Sequence, residues 1–169
     1  MNKEPKSVLQ RVDQHARALC AKLAREARFA ALASLEPETG FPQATRIILS
    51  IDPRGSAIIL LSQLSAHTQA LLRDDRCSLL CGEPGDGDPL TYPRVTLIGR
   101  ARQLLRGSEE SVSAKTLFLA AHPKAALYAD FGDFAFWEIE FIRANMNAGF
   151  GGAYEFTKPE LELCLRRAS

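Results

Sequence analysis

Nothing in this sequence offers a membrane-crossing helix. No run reaches the roughly 18 consecutive apolar residues that such a helix needs, and the opening segment MNKEPKSVLQRVDQH is charged throughout, without the apolar stretch of a secretory signal. The expected compartment is the cytoplasm, with no membrane partner. There is no CxxC. The four cysteines (Cys20, Cys77, Cys81, Cys164) and three histidines (His15, His67, His122) are dispersed, so no local metal-ligand spacing exists. Free buried thiols and no metal are expected; Cys77 and Cys81 would share one face of a strand, too far apart along it to bridge. Charge of either sign is also not in excess: 21 Lys and Arg against 20 Asp and Glu leave a net charge of +1. That excludes the field with which a protein holds nucleic acid through counterion release. Low-complexity tracts, internal repeats, a Ser-His-Asp order, a close carboxylate pair and a Cys-His arrangement are all missing. NAGFGGAY (147–154) superficially resembles a nucleotide-binding glycine loop, yet it lacks the G-x-G-x-x-G spacing and leads into AYEF instead of a helix. Its glycines are read as a tight turn or a close backbone approach, with Asn145 and Asn147 beside them as candidate polar contacts.

What is present is an ordinary globular composition, 46% hydrophobic and 24% charged over 169 residues, enough for one domain spanning 1–169. Leu9, Val12, Ala16, Leu19, Leu23 and Ala27 recur at spacings of three and four and predict an amphipathic helix from Ser7 to about Arg28. FAALASL (29–35) and PQATRIILSID (42–52) predict a hairpin, followed by strands at 56–62, 76–83, 94–105 and 134–143. Helices are expected at 66–74, 109–121, briefly after His122, and from Lys158 to Arg167. In FAFWEIEFIR, Ala135, Trp137, Ile139 and Phe141 face one way, and Glu138 and Glu140 the other. Consecutive strands with inserted helices argue for a mainly β (α+β) fold, a small antiparallel barrel with peripheral helices. Such a barrel fills itself with side chains, so a sizeable ligand would bind outside, at a rim or subunit interface.

The stretch LLSQLSAHTQALLRDD (60–75) concentrates hydroxyls and an imidazole where a strand hands over to a helix. Ser65 is expected to cap the helix by accepting from exposed amides. Ser62, His67 and Thr68, at a helix N-terminus with unpaired amides and partial positive charge, would make a phosphate cradle, with Arg46 on the neighbouring strand supplying charge.

The order of ARFAALASL, G-x-P-x-x-T-R-I-I-L, LLSQLSAHTQALLRDDRCSLL, GDGDPLTYPRVTLIGRA, HPKAALYADFGDFAFWEIE and NAGFGGAY resembles the FMN-binding split-barrel proteins related to pyridoxamine phosphate oxidase, and more narrowly their haem-iron utilisation branch. The likeness runs from about residue 17 to 155. It implies a six-stranded antiparallel split β-barrel that forms a homodimer. It also implies FMN at the subunit interface, its phosphate held by Thr45, Arg46, Ile47, Ser62, His67 and Thr68. The oxidase carries an Arg-Lys pair where His67 and Thr68 stand, so a weaker phosphate grip is implied, with Arg46 carrying more of the neutralisation. Arg94 stands near a flavin-contacting Gln of that family. The ending KPELELCLRRAS replaces the oxidase's Trp- and Arg-containing segment, which argues against pyridoxamine phosphate oxidation. For the haem branch, whose larger members use a further C-terminal domain, His15 and His122 are possible axial ligands, with His67 also to be tested. No catalytic residue is assigned, since a flavin performs the electron chemistry itself. Three functions follow: an FMN-binding oxidoreductase-like protein of unknown substrate, a haem-binding or haem-degrading protein, or a non-catalytic split-barrel dimer.

Overall fold

The computed structural model describes residues 9–166. In chain order these form α1 (Gln14–Arg25), β1 (Phe29–Leu35), β2 (Pro42–Ile51), β3 (Ala57–Ser62), α2 (Ala66–Arg73), β4 (Arg76–Cys81), β5 (Arg94–Gln103), α3 (Glu109–Ala121), β6 (Phe134–Asn147), β7 (Ala153–Thr157) and α4 (Lys158–Leu165), with short 3-10 turns at Pro89–Thr91 and Pro123–Leu127. Every named strand pair is antiparallel. The sheet order β3-β2-β1-β4-β5-β6 is closed by pairing of β3 with β6, giving a six-stranded barrel with β7 as an added strand. The expected fold class holds. β6 is long enough to serve two neighbours on one edge: Phe134 to Ile139 pair with β3, and Arg143 to Asn147 pair with β7.

Strand alternation fills the interior. Leu32, Leu49, Ile59, Leu79, Leu97 and Ile139 are almost completely buried, joined by Ala16, Cys20 and Ala24 of α1 and by Leu161 and Leu165 of α4. Each such aliphatic side chain contributes about 1.5–3 kcal/mol relative to exposure. A second core, with Ile58, Leu60, Phe118 and Phe136, lies outside the barrel where α3 roofs β3 and β6.

Two local expectations are corrected and a third is refined. The first helix starts at Gln14, not Ser7, because the Asp13 carboxylate accepts the Ala16 N–H at 2.8 Å and caps it there; Leu9 instead bridges to Ala153, and Ser7 lies outside the described residues. β7 was not expected. Glu138 lies on the same face as Glu140, as expected, but is only 8% exposed there, and Arg54 and Arg102 neutralise it. The glycine-rich turn between β6 and β7 does bring backbones together. Gly149 has φ +94°, and a Cβ there would stand 2.6 Å from the Thr91 carbonyl oxygen.

Candidate functional site

β2 carries Thr45, Arg46 and Ile47 in alternation, and this separates them. Ile47 is buried in the barrel core, whereas Arg46 is exposed on the outer face. Thr45 is half-buried with its Oγ1 enclosed and without a hydrogen-bond partner among the described residues. The Arg46 guanidinium lies 5.2 Å from the centre of the Phe29 ring and makes no ion pair among the described residues.

The β3–α2 junction draws Ser62, Ser65 and Thr68 into one hydrogen-bonded cluster. Ser62 Oγ donates to Asp133 Oδ2 at 2.6 Å and accepts the Leu64 N–H at 3.2 Å. Ser65 does not cap α2 with its side chain: its hydroxyl donates to the Ser62 carbonyl at 2.6 Å and lies 3.0 Å from Thr68 Oγ1. That local partner outcompetes the helix amides. Thr68 is 1% exposed. His67 stays half-buried with no hydrogen bond to a described residue, and burial holds its pKa below the ordinary imidazole value, so the ring is neutral near pH 7.

The β2–β3 ladder runs from Ile51 and Ala57 to Leu49 and Ile59 and then stops, short of the level at which Arg46 would face Ser62. Arg94 is far from this junction. It pairs with Asn147 at one end of β6, and Ser62 pairs with Phe134 at the other, on the order of 40 Å of strand away. Its guanidinium donates to the Leu90 and Tyr92 carbonyls, both at 3.2 Å. Among the histidines, His122 is committed to structure: it is 8% exposed and its Nε2 lies 2.7 Å from the Leu49 carbonyl oxygen, which accepts from it. That leaves it unsuited to ligate iron. His15 is exposed on α1. No cluster of three or more metal-ligating side chains occurs among the described residues.

Register assembles a surface that the sequence did not show. Arg46 pairs with Ala31, Ala31 with Leu80, Leu80 with Thr96, and Thr96 with Asn145, making one row across five strands. The next row is Ala44, Ala33, Ser78, Ile98 and Arg143. Directly paired residues project to the same side. The result is a shallow sheet face, apolar in the middle and cationic at its edges, on which Leu80 remains 44% exposed. Two clefts lie away from this face, one of about 330 Å³ between β6 and α4 and one of about 550 Å³ between α3 and the β2–β3 turn, while a third of about 430 Å³ beside α1 is lined by Phe29, the ring beneath Arg46. The exposed Arg46 side chain itself stands on the sheet face. The donor set suits a flat, anionic group, with small side chains beneath the ring and a cation at its edge.

Comparison with known proteins agrees with this fold. A family profile described as "CREG, beta-barrel" matches residues 10–161. Heme oxygenase HOZ, a chloroplastic protein of Arabidopsis thaliana, is 35% identical over 127 residues, a match covering 73% of this chain and 38% of that protein. The chain thus spans well under half the length of that relative. The structure of a heme binding protein from Mycobacterium smegmatis superposes with a TM-score of 0.82 at 26% identity, covering 92% of this chain and 63% of that one. A protein of unknown function from Agrobacterium tumefaciens gives 0.79 at 29% identity, covering 94% and 65%. The chain belongs to the CREG beta-barrel family, with the split-barrel fold of the pyridoxamine phosphate oxidase-like proteins and haem-utilisation proteins among its relatives.

Proposed function

We propose that the protein binds haem on the outer face of β1, β2 and β4 as a homodimer and serves in haem degradation. The observation that carries this is the row of Arg46, Ala31 and Leu80: a cation without an ionic partner beside an open apolar strip. A porphyrin presents the complement, a flat apolar ring with ionised carboxylates at its edge. The named haem proteins among the relatives support the same ligand class. Haem, when bound, supplies the iron and its oxygen chemistry. The chain's own part is to seat the ring, with Arg46 on a carboxylate and the second subunit covering the outer surface. His67 is the imidazole we assign to test as an iron contact, because it is neutral, half-buried and makes no hydrogen bond to a described residue. The homodimer is supported by the uncovered sheet face. A cytoplasm-like reducing compartment accords with four free cysteines.

One observation favours a second reading, FMN. Thr45 Oγ1 is enclosed without a hydrogen-bond partner among the described residues, and it belongs to the set Thr45, Arg46, Ile47, Ser62, His67 and Thr68 that would hold the flavin phosphate in a split-barrel oxidoreductase, with Arg94 as the further flavin contact. The Asp133 carboxylate on Ser62 weighs against a phosphate at that hydroxyl, since like charges repel. Addition of haem to purified protein is expected to give a saturable Soret change at near-equimolar stoichiometry, and ascorbate is expected to bleach it faster than free haem. A Soret band that never saturates overturns the haem reading.

A further inference from the structure

We propose that the cleft lined by the C-terminal ends of α1, β2 and α3 binds a small organic monocarboxylate, its charged group on Arg28 and the Ser50 hydroxyl and its apolar body along α3. This cleft, of about 440 Å³, is distinct from the three described above and falls within the roughly 300–1,000 Å³ of small-ligand sites. Ser50 is the observation that marks it. The side chain is 9% exposed, and its Oγ is enclosed without a hydrogen-bond partner among the described residues. Ser50 pairs with Ile58 across the β2–β3 ladder, and Ile58 belongs to the second core beneath α3. Directly paired residues project to the same side, so the hydroxyl is aimed out of the barrel, towards α3 and the cleft that both line.

A buried hydroxyl left unbonded costs stability that an alanine of nearly the same size would not, so packing gives no reason for a serine at this position. A ligand that bonds it does. Around it the cleft offers Arg25, at the end of α1, and Arg28, just beyond it, against one carboxylate, Glu26. Arg28 is exposed and makes no ion pair among the described residues. Pro53 and the α3 residues Leu117 and Ala121 supply the apolar wall.

The balance of charges selects the ligand class. α1 and α3 both bring their C-terminal ends to the cleft, and the partial negative charge there disfavours an anion. A charge-assisted bond from a guanidinium outweighs that effect, which is screened and falls off within one turn. An amine would instead meet two cations with only Glu26 in compensation. Inorganic phosphate, compact and strongly hydrated, gains nothing from the apolar wall. A carboxylate carrying an alkyl body satisfies the guanidinium, the hydroxyl and the wall together. Ser50 lies four residues from Arg46, about 13 Å along β2, so the site is separate from the row proposed for haem and the inference stands apart from the choice of cofactor.

The test titrates the full-length protein with octanoate, followed by calorimetry and by the methyl signals of Ala120 and Ala121, which line the cleft, in NMR spectra. Octanoate is expected to bind saturably, to move those two signals, and to raise Tm as its concentration passes Kd. Octanol and octylamine are expected to bind about tenfold more weakly or less, and inorganic phosphate not to compete. Arg28→Gln should weaken octanoate about tenfold. Ser50→Ala should weaken it about fivefold while leaving the ligand-free Tm unchanged or higher, because no hydrogen bond within the chain is lost. Absence of saturable octanoate binding to the wild-type protein would overturn the proposal. So would octanol binding as tightly as octanoate, an affinity indifferent to both substitutions, or shifts confined to Ala31 and Leu80 of the Arg46 row.

Discussion

Glu138→Gln removes one negative charge from beneath α3 while preserving side-chain size. Glu138 Oε1 accepts from Arg54 NH2 and Oε2 from Arg102 NH2, both at 2.6 Å. Arg54 Nε also reaches Asp52 at 3.0 Å, and Arg102 NH1 reaches Glu110 at 2.9 Å. One buried carboxylate thus ties the β2–β3 turn, the end of β5 and the first turn of α3. A hydrogen bond to a charged group contributes about 1.5–3 kcal/mol. The arginine side chains are 63% and 53% exposed and recover hydration once released, which places each bond at the low end of that range. Glutamine keeps one acceptor, so the expected loss is about 2 kcal/mol, a fall in Tm of about 4–8 °C for a chain of this length. Glu138→Ala leaves both guanidiniums facing a hole and should cost about 3 kcal/mol. Arg54→Ala should cost less than about 1 kcal/mol, because Arg102 still satisfies the carboxylate. Urea and thermal unfolding followed by circular dichroism at neutral pH measure all three. A Glu138→Gln Tm within about 1 °C of wild type would refute the view that this carboxylate organises the three elements.

Arg46→Ala is expected to weaken binding of the anionic cofactor by about 10–100-fold, read by absorbance titration, while leaving stability within about 0.5 kcal/mol because the side chain is exposed; an unchanged Kd would remove Arg46 from the site. His67 has a folded pKa below its ordinary 6.5, so the unfolded chain takes up the proton first. Its part of the stability is therefore complete above about pH 6.5 and lost as pH falls below it. His67→Gln should flatten the change in unfolding free energy between about pH 6.5 and 5.5, and an equally steep profile would contradict the burial argument. Gly149→Ala combines a φ of +94° with a contact to the Thr91 carbonyl and should cost about 1–3 kcal/mol, seen as a lower urea midpoint.

The barrel was legible because short apolar segments mark strands without knowledge of their partners: RVTLIGRARQ alternates in burial, and SAIILLS is a continuous apolar run bounded by turn residues. β7 was not, since five residues between a glycine turn and a capping box carry too short a pattern to stand out. Long-range pairing hid the rest. Alternation gives the face of Glu138 but not its burial, which comes from neighbours distant in sequence. Ala31 and Leu80 mean nothing singly and become a floor beside Arg46 only through the β1–β4 register. At the β3–α2 junction Ser62, Ser65 and Thr68 come together, whereas His67 makes none of their hydrogen bonds. Their hydrogen bonds were not foreseeable, because Asp133, the partner of Ser62, comes from a turn 71 residues away.

The most direct test of the haem reading is competition. Cofactor-free protein is incubated with equimolar haem and FMN, passed through gel filtration, and the retained chromophore is identified from its spectrum. Haem should co-elute with a particle of dimer size, and Arg46→Ala should lose it. Retention of FMN with haem left in the free fraction would contradict the haem assignment and return the site to the flavin phosphate.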